Sequence, residues 1–122
     1  MKLLQTYARI YVENMDAVLP FYENLLGRNC DLRVPYKEAG LELASVGQVL
    51  LLAGSEDALR LFRDTQATFI VDSIDEYKQF LESNGAIVIR GPRDVPTGRN
   101  MTVKHADGSI IEYVQFKLPL AK

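Results

Sequence analysis

A chain of 122 residues makes one domain of ordinary size, whereas two halves of about 60 residues would each be marginal alone and must share a core. Apolar residues at 48% and charged residues at 25% exclude disorder, and a net charge of −2 removes the electrostatic case for nucleic acid or an acidic membrane as partner. The one cysteine, Cys30, excludes an internal disulfide and a cysteine-cluster metal site. The N-terminal MKLLQTYARIYVEN alternates after two leucines, so no signal-peptide core or membrane span is expected and the cytoplasm is the expected compartment.

In Tyr7 to Glu13, Ala8, Ile10 and Val12 form one face of a predicted strand and Tyr7, Arg9, Tyr11 and Glu13 the other. Asn14 caps a predicted helix with Met15, Val18, Leu19, Tyr22, Leu25 and Leu26 at helical spacing, closed by Gly27. Pro20 lies beyond the first turn and predicts a kink or a late helix start. Cys30, just past the helix end beside Arg28, Asn29 and Asp31, reads as an inert, partly buried thiol. Three strands are expected next, at about 31–36, 41–46 and 49–53. The segment 55–64 is a linker with a short helical stretch around 58–62.

The pattern then returns. A constant offset of 59 residues pairs Ala8 with Ala67, Val12 with Val71, Asp16 with Asp75, Phe21 with Phe80 and Glu23 with Glu82, so the chain is a tandem duplication. Ser73 with Glu76 is a capping box, Ile74, Tyr77, Phe80 and Leu81 supply the helical stripe, and Gly85 ends it. Strands follow at about 87–90, 101–104 and 110–116. Ala106-Asp107-Gly108 marks a hairpin, and Gly91 and Gly98 flank a proline-containing stretch that reads as an ordinary connection. The expected fold is α+β: one domain over 1–122, with two βαβββ modules at about 5–54 and 64–117 joined by a short linker.

Strand alternation gives each module a face turned away from its helix. In the second module that face is expected to carry Gln66, Thr68 and Ile70 from its first strand and Glu112, Ile110, Val114 and Phe116 from its last. The residues Tyr7, Arg9, Tyr11, Leu51, Gln66, Thr68, Glu112 and Val114 then make an apolar and aromatic ligand cavity with few polar groups. A structural ion pair between Arg9 and Glu112 is the competing reading of the same residues. His105 is the only histidine, so one chain cannot build a two-histidine, one-carboxylate iron site, and beside its turn His105 is expected to face solvent. There is no phosphate loop, dinucleotide fingerprint or nucleophile elbow.

The segments VENMD…FYENLLG, GPRDVPTGRN and HADGSIIEYVQF, spread over nearly the whole chain, resemble the vicinal oxygen chelate superfamily. Its members include glyoxalase I, bleomycin-resistance proteins, fosfomycin-resistance enzymes and extradiol dioxygenases. The resemblance implies paired βαβββ modules whose curled mixed sheets enclose a ligand, and in enzymatic members a divalent metal held from four strand positions. Here those positions fall on Tyr7, Gln66, Glu112 and, counting four residues on from Gly47 as Glu112 lies four on from Gly108, Leu51. Only Glu112 is a strong ligand. An amide oxygen binds a hard metal and some members similar to glyoxalase I use glutamine, so Glu112 with Gln66 is the pairing through which a weak metal would bind.

The leading expectation is therefore a metal-independent binding protein for a small hydrophobic or amphipathic molecule, resembling bleomycin-resistance proteins, with no cofactor and with a homodimeric assembly. The alternative is a glyoxalase-like lyase or isomerase with a degenerate metal site and Glu112 as the candidate catalytic residue. A non-catalytic interaction module is the third reading.

Overall fold

Each helix begins where a side chain takes up an otherwise unpaired backbone N–H. In the computed structural model, which describes residues 1–117, strand β1 (Leu3–Val12) leads into helix α1 (Met15–Leu26). The Asn14 side chain accepts the Ala17 N–H at 3.2 Å, and Gly27, at φ +69°, closes the helix. The helix starts at Met15, not later, and runs through Pro20. The bond the proline cannot make is to the Asp16 carbonyl in the first turn, on an exposed face where water can satisfy it.

Strand β2 (Leu32–Tyr36), a 3-10 turn (Lys37–Ala39), β3 (Leu41–Val46), β4 (Val49–Ala53) and the short helix α2 (Glu56–Arg60) complete the first half. The second half repeats the order with β5 (Thr65–Val71), α3 (Ile74–Ser83), β6 (Ile87–Val95), β7 (Gly98–Lys104) and β8 (Ile110–Phe116). Both halves are βαβββ, and the fold is α+β. No helix among the described residues is long and apolar enough to cross a membrane.

The chain divides into two compact units, Tyr7–Asp64 and Met1–Thr6 together with the chain from Thr65 on. In the first unit the strand order is β2-β3-β4-β1, with β1 parallel to β4 and the other pairs antiparallel. Its core lies under α1, where Met15 and Leu19 meet Ala44, Val46, Leu51 and Ala53, with Ile10 and Val12 at the margin. In the other unit the order is β5-β8-β7-β6, with β5 parallel to β8. Its core lies under α3, where Ile74 and Leu81 meet Val71, Met101, Val103, Ile111 and Tyr113. The start of β1 joins this unit through its backbone: Lys2 N–H donates to the Asp72 carboxylate at 2.8 Å, and Asp72 N–H donates to the Lys2 carbonyl at 3.1 Å.

The stretch from Gly91 to Gly98 is not a connection. β6 and β7 continue through it to a two-residue turn at Pro96 and Thr97. Register shifts in β6 on both sides of Arg90 absorb Gly91 and Pro92, and β6 is the edge strand of its unit, where a missing N–H leaves no ladder bond unmade.

Candidate functional site

In the unit that holds β8, alternation decides which side chains are available. Ile111 and Tyr113 point into the core under α3, so Ile110, Glu112 and Val114 occupy the helix-free face. The parallel register sets Thr68 of β5 opposite Glu112, and the antiparallel register sets Thr102 of β7 opposite it on the other side. Thr68 Oγ1 donates to Glu112 Oε1 at 3.3 Å. Thr68 and Thr102 are buried, while Glu112 and Val114 are half-buried. Thr68, Glu112 and Val114 thus stand on one face, as alternation predicted.

Gln66 is placed differently. It sits in a bulge of β5 between Thr65 and Ala67, is exposed, and its side-chain oxygen accepts the Ile110 N–H at 3.2 Å. The atom that would bind a metal is therefore already holding the start of β8.

His105 does not face solvent as its turn position suggested. It is half-buried, with Nε2 2.7 Å from the Tyr113 hydroxyl. Burial pushes the Tyr113 phenol up to about 12, and the nearby Tyr77 adds to the shift. The folded protein therefore keeps this proton at pH values where the unfolded chain, near the ordinary value of 10, loses it. The stability that follows is complete below pH 10 and disappears as pH rises from 10 toward 12. Urea unfolding across this range is expected to show a falling midpoint, and Tyr113→Phe to flatten the fall. An equally steep fall in Tyr113→Phe would assign it to other groups, such as Tyr7 and Tyr77, which burial also raises.

In the unit that holds most of β1, Tyr7, Arg9 and Tyr11 are half-buried. Arg9 Nη1 donates to the Tyr11 oxygen at 2.9 Å, and the Tyr11 hydroxyl donates to the Phe62 carbonyl. The Arg9 and Arg63 guanidinium carbons lie 6.0 and 5.8 Å from the Tyr11 ring centre, and Arg63 is held by a two-point contact with Glu56 at 2.9 and 3.0 Å. Tyr11 packs against a small cluster of Leu41, Leu52 and Leu59. Tyr7 has its phenol raised by burial and then by the Asp31 carboxylate.

Leu51 does not share this face. It is fully enclosed in the core under α1, opposite Ile10 across the β1–β4 register. The residue that stands in the register of Glu112 is Leu50, opposite Arg9, just as Glu112 is opposite Thr68. Counting from the turn glycines failed because the two hairpins differ. Five residues separate Lys104 from Ile110 but only two separate Val46 from Val49, and β8 begins one residue earlier than β4 does when Glu112 is set against Leu50, with Ile110 paired to Thr65 across the bulge that Gln66 makes in β5.

The donors do not fit a resident metal. Of the strand positions, one is a carboxylate, one an amide oxygen already in use, one a tyrosine and one a leucine. No cluster of three or more His, Cys, Asp or Glu among the described residues is placed to hold an ion. Cys30 is half-buried, with its sulfur 3.1 Å from the Leu32 carbonyl. Thr102 is the residue of this face that sequence reasoning missed. The signal was present in its place between two apolar residues, Met101 and Val103.

A family model described as Glyoxalase/Bleomycin resistance protein/Dioxygenase superfamily matches residues 4–113. The solved structure of a hypothetical protein from Methanosarcina mazei is 53% identical, with a TM-score of 0.86 over 96% of this chain and 95% of that one. A hypothetical protein from Bacillus halodurans C-125 is 21% identical, with a TM-score of 0.78 over the whole of both chains. Methylmalonyl-CoA epimerase from Streptomyces coelicolor, solved with 2-nitronate-propionyl-CoA, is 18% identical, with a TM-score of 0.72 over 99% of this chain and 100% of that one; at that identity the likeness is one of fold. No curated protein matches the chain.

Proposed function

We propose, from the premise that the chain belongs to the Glyoxalase/Bleomycin resistance protein/Dioxygenase superfamily, that it is a metal-independent, cytoplasmic binding protein for a small amphipathic molecule. The observation that carries this reading is the donor set. Glu112 is the sole carboxylate at the strand positions, Gln66 spends its oxygen on Ile110, and Leu50 and Leu51 offer none. What the helix-free faces do offer is apolar surface with a few oriented polar atoms: the Thr68–Glu112 pair on one and the Arg9–Tyr11–Phe62 chain on the other. That composition suits recognition of a molecule that is largely apolar with one or two hydrogen-bonding groups.

Purified protein is expected to carry far less than one equivalent of zinc, nickel, iron or manganese, because tight zinc sites need three or more protein ligands. Elemental analysis decides it: one equivalent per chain, lost on Glu112→Ala, would restore the lyase or isomerase reading.

The same reading takes the protein to be a homodimer. Phe21 and Leu25 on α1 are 59% and 63% exposed, and β2 and β6 are open sheet edges, features that a second copy would cover. Sedimentation at micromolar concentration is expected to give twice the chain mass, and a monomer throughout would sink the idea.

A further inference from the structure

We infer that the outer edge of the helix-free face in the β5–β8 unit binds a phosphate monoester, held by Arg90 of β6 together with Lys104 and Thr102 of β7. The inference rests on the small-molecule reading and adds the charged group that such a molecule carries. Val88 faces the core under α3 opposite Val103, and plain alternation would turn Arg90 the same way. The first register shift of β6 reverses this, so Arg90 stands opposite Thr102 on the helix-free face, and the second shift sets Arg93 opposite Asn100 on that face as well. Gly91 permits the second shift: its φ is +81°, and a Cβ there would stand 2.8 Å from the Asn100 carbonyl oxygen. An edge arginine that only discouraged pairing with another strand could stand on either face. Two shifts that turn arginines to the face carrying Glu112 and Val114 point to a ligand.

Charge pairing sets the same residues apart. Arg28, Arg33, Arg60, Arg63 and Arg99 each meet a carboxylate. Arg90 and Lys104 are exposed, and neither forms an ion pair among the described residues. Lys104 lies two positions from Thr102 on β7 and so stands diagonal to Arg90, about 7 Å away where the side chains begin, within reach of a shared anion. The acidic residue of β6, Asp94, is on the other face, 3.5 Å from Arg99. Thr102, beside both cations, is only 8% exposed, and its hydroxyl makes no hydrogen bond among the described residues. Its oxygen is still open to contact, since no fully enclosed side-chain oxygen or nitrogen among the described residues lacks a partner. Such a hydroxyl has lost most of its hydration without a replacement bond, which a ligand oxygen can supply.

The donors decide the class of anion. A guanidinium, an ammonium and a hydroxyl suit three acceptor oxygens. A phosphate monoester brings three, with a charge of about −1.5 to −2 near neutral pH that matches the two cations, whereas a carboxylate brings two oxygens and a single charge. Glu112 lies inward of Thr102, two strand spacings or about 10 Å from Arg90 along the sheet. An anion on the outer side of Thr102 is therefore nearer to both cations than to that carboxylate, and the attraction is the larger effect.

The experiment uses the whole isotopically labelled protein and three aromatic probes, phenyl phosphate, benzoate and benzamide, titrated to millimolar concentration while the backbone amides of all strands are followed by NMR. Phenyl phosphate is expected to move the amides of β6 and β7 and to bind at least about tenfold more tightly than benzamide, with benzoate between them. In the double variant Arg90→Gln with Lys104→Gln that preference is expected to vanish while benzamide binds as before. Lys37→Gln, which removes an exposed lysine of the other unit, is expected to keep it. Thr102→Val, nearly the same shape without the hydroxyl, is expected to weaken phenyl phosphate by about threefold and leave benzamide unchanged. Benzoate or benzamide binding as tightly as phenyl phosphate, or a preference that survives in the double variant, overturns the inference and leaves the small-molecule reading standing. No shift of any strand amide with any probe overturns both.

Discussion

Gly98→Ala is expected to lower stability by about 3 kcal/mol or more, enough to leave a marginal domain substantially unfolded. Gly98 opens β7 opposite Phe116 at φ +152°, and a Cβ there would stand 2.0 Å from the Gln115 carbonyl oxygen and 2.9 Å from the Phe116 Cα. Both obstacles are backbone, so no side chain can swing away to make room. The Gln115 strand is pinned from its other end too, because the Gln115 side-chain oxygen accepts the first N–H of α3, from Ile74, at 2.7 Å. Retreat of β8 would therefore uncap a helix as well as break a strand pair. Gly108→Ala is the control. Gly108 also has a positive φ, +96°, but nothing lies within 4 Å of its added Cβ, so only the conformational cost of about 1 kcal/mol applies. Urea unfolding of the two variants separates these effects, and equal losses would rule out the backbone clash as the cause.

The second large effect separates two adjacent leucines. Leu51 is fully enclosed with Ile10, Met15, Leu19 and Val46, and Leu51→Ala is expected to cost about 3 kcal/mol for the lost transfer energy and the cavity. Leu51→Glu is expected to give no folded protein, since it would bury a charge in an apolar core. Leu50→Glu is expected to cost under about 1 kcal/mol, because Leu50 is half-buried on the helix-free face and the new carboxylate would stand opposite Arg9. Circular dichroism melts of the three proteins test the register directly. A Leu50→Glu variant as damaged as Leu51→Glu would mean that the two leucines share one environment.

That contrast marks where the sequence stops being informative. The duplication was legible because its offset is constant from Ala8 to Glu23, through the first strand and helix, where caps and periodicity act over short distances. Glu112 and Thr68 were placeable by alternation within single strands. Leu51 was not, because facing depends on how β4 meets β1, and the hairpins that set that meeting differ in length between the halves. Gln66 shows the same limit: its polarity suggested a ligand, and its bulge gave the oxygen to Ile110. His105 was assigned to solvent from its turn, yet its ring returns to Tyr113, which no local pattern encodes. Gly91 and Gly98 read as loop residues because the sequence does not state that bulges can carry an edge strand through a proline.

The beginning of β1 has a consequence for synthesis on the ribosome. Lys2 is bonded to Asp72, its partner 70 positions further along. The unit from Tyr7 to Asp64 has all its strands once Asp64 has emerged. Met1–Thr6 belong to the other unit, whose remaining strands begin with β5 and end with β8. Leu3 and Leu4, still exposed in the folded unit, therefore belong to a strand segment whose own unit is formed after the unit from Tyr7 to Asp64 has been synthesised.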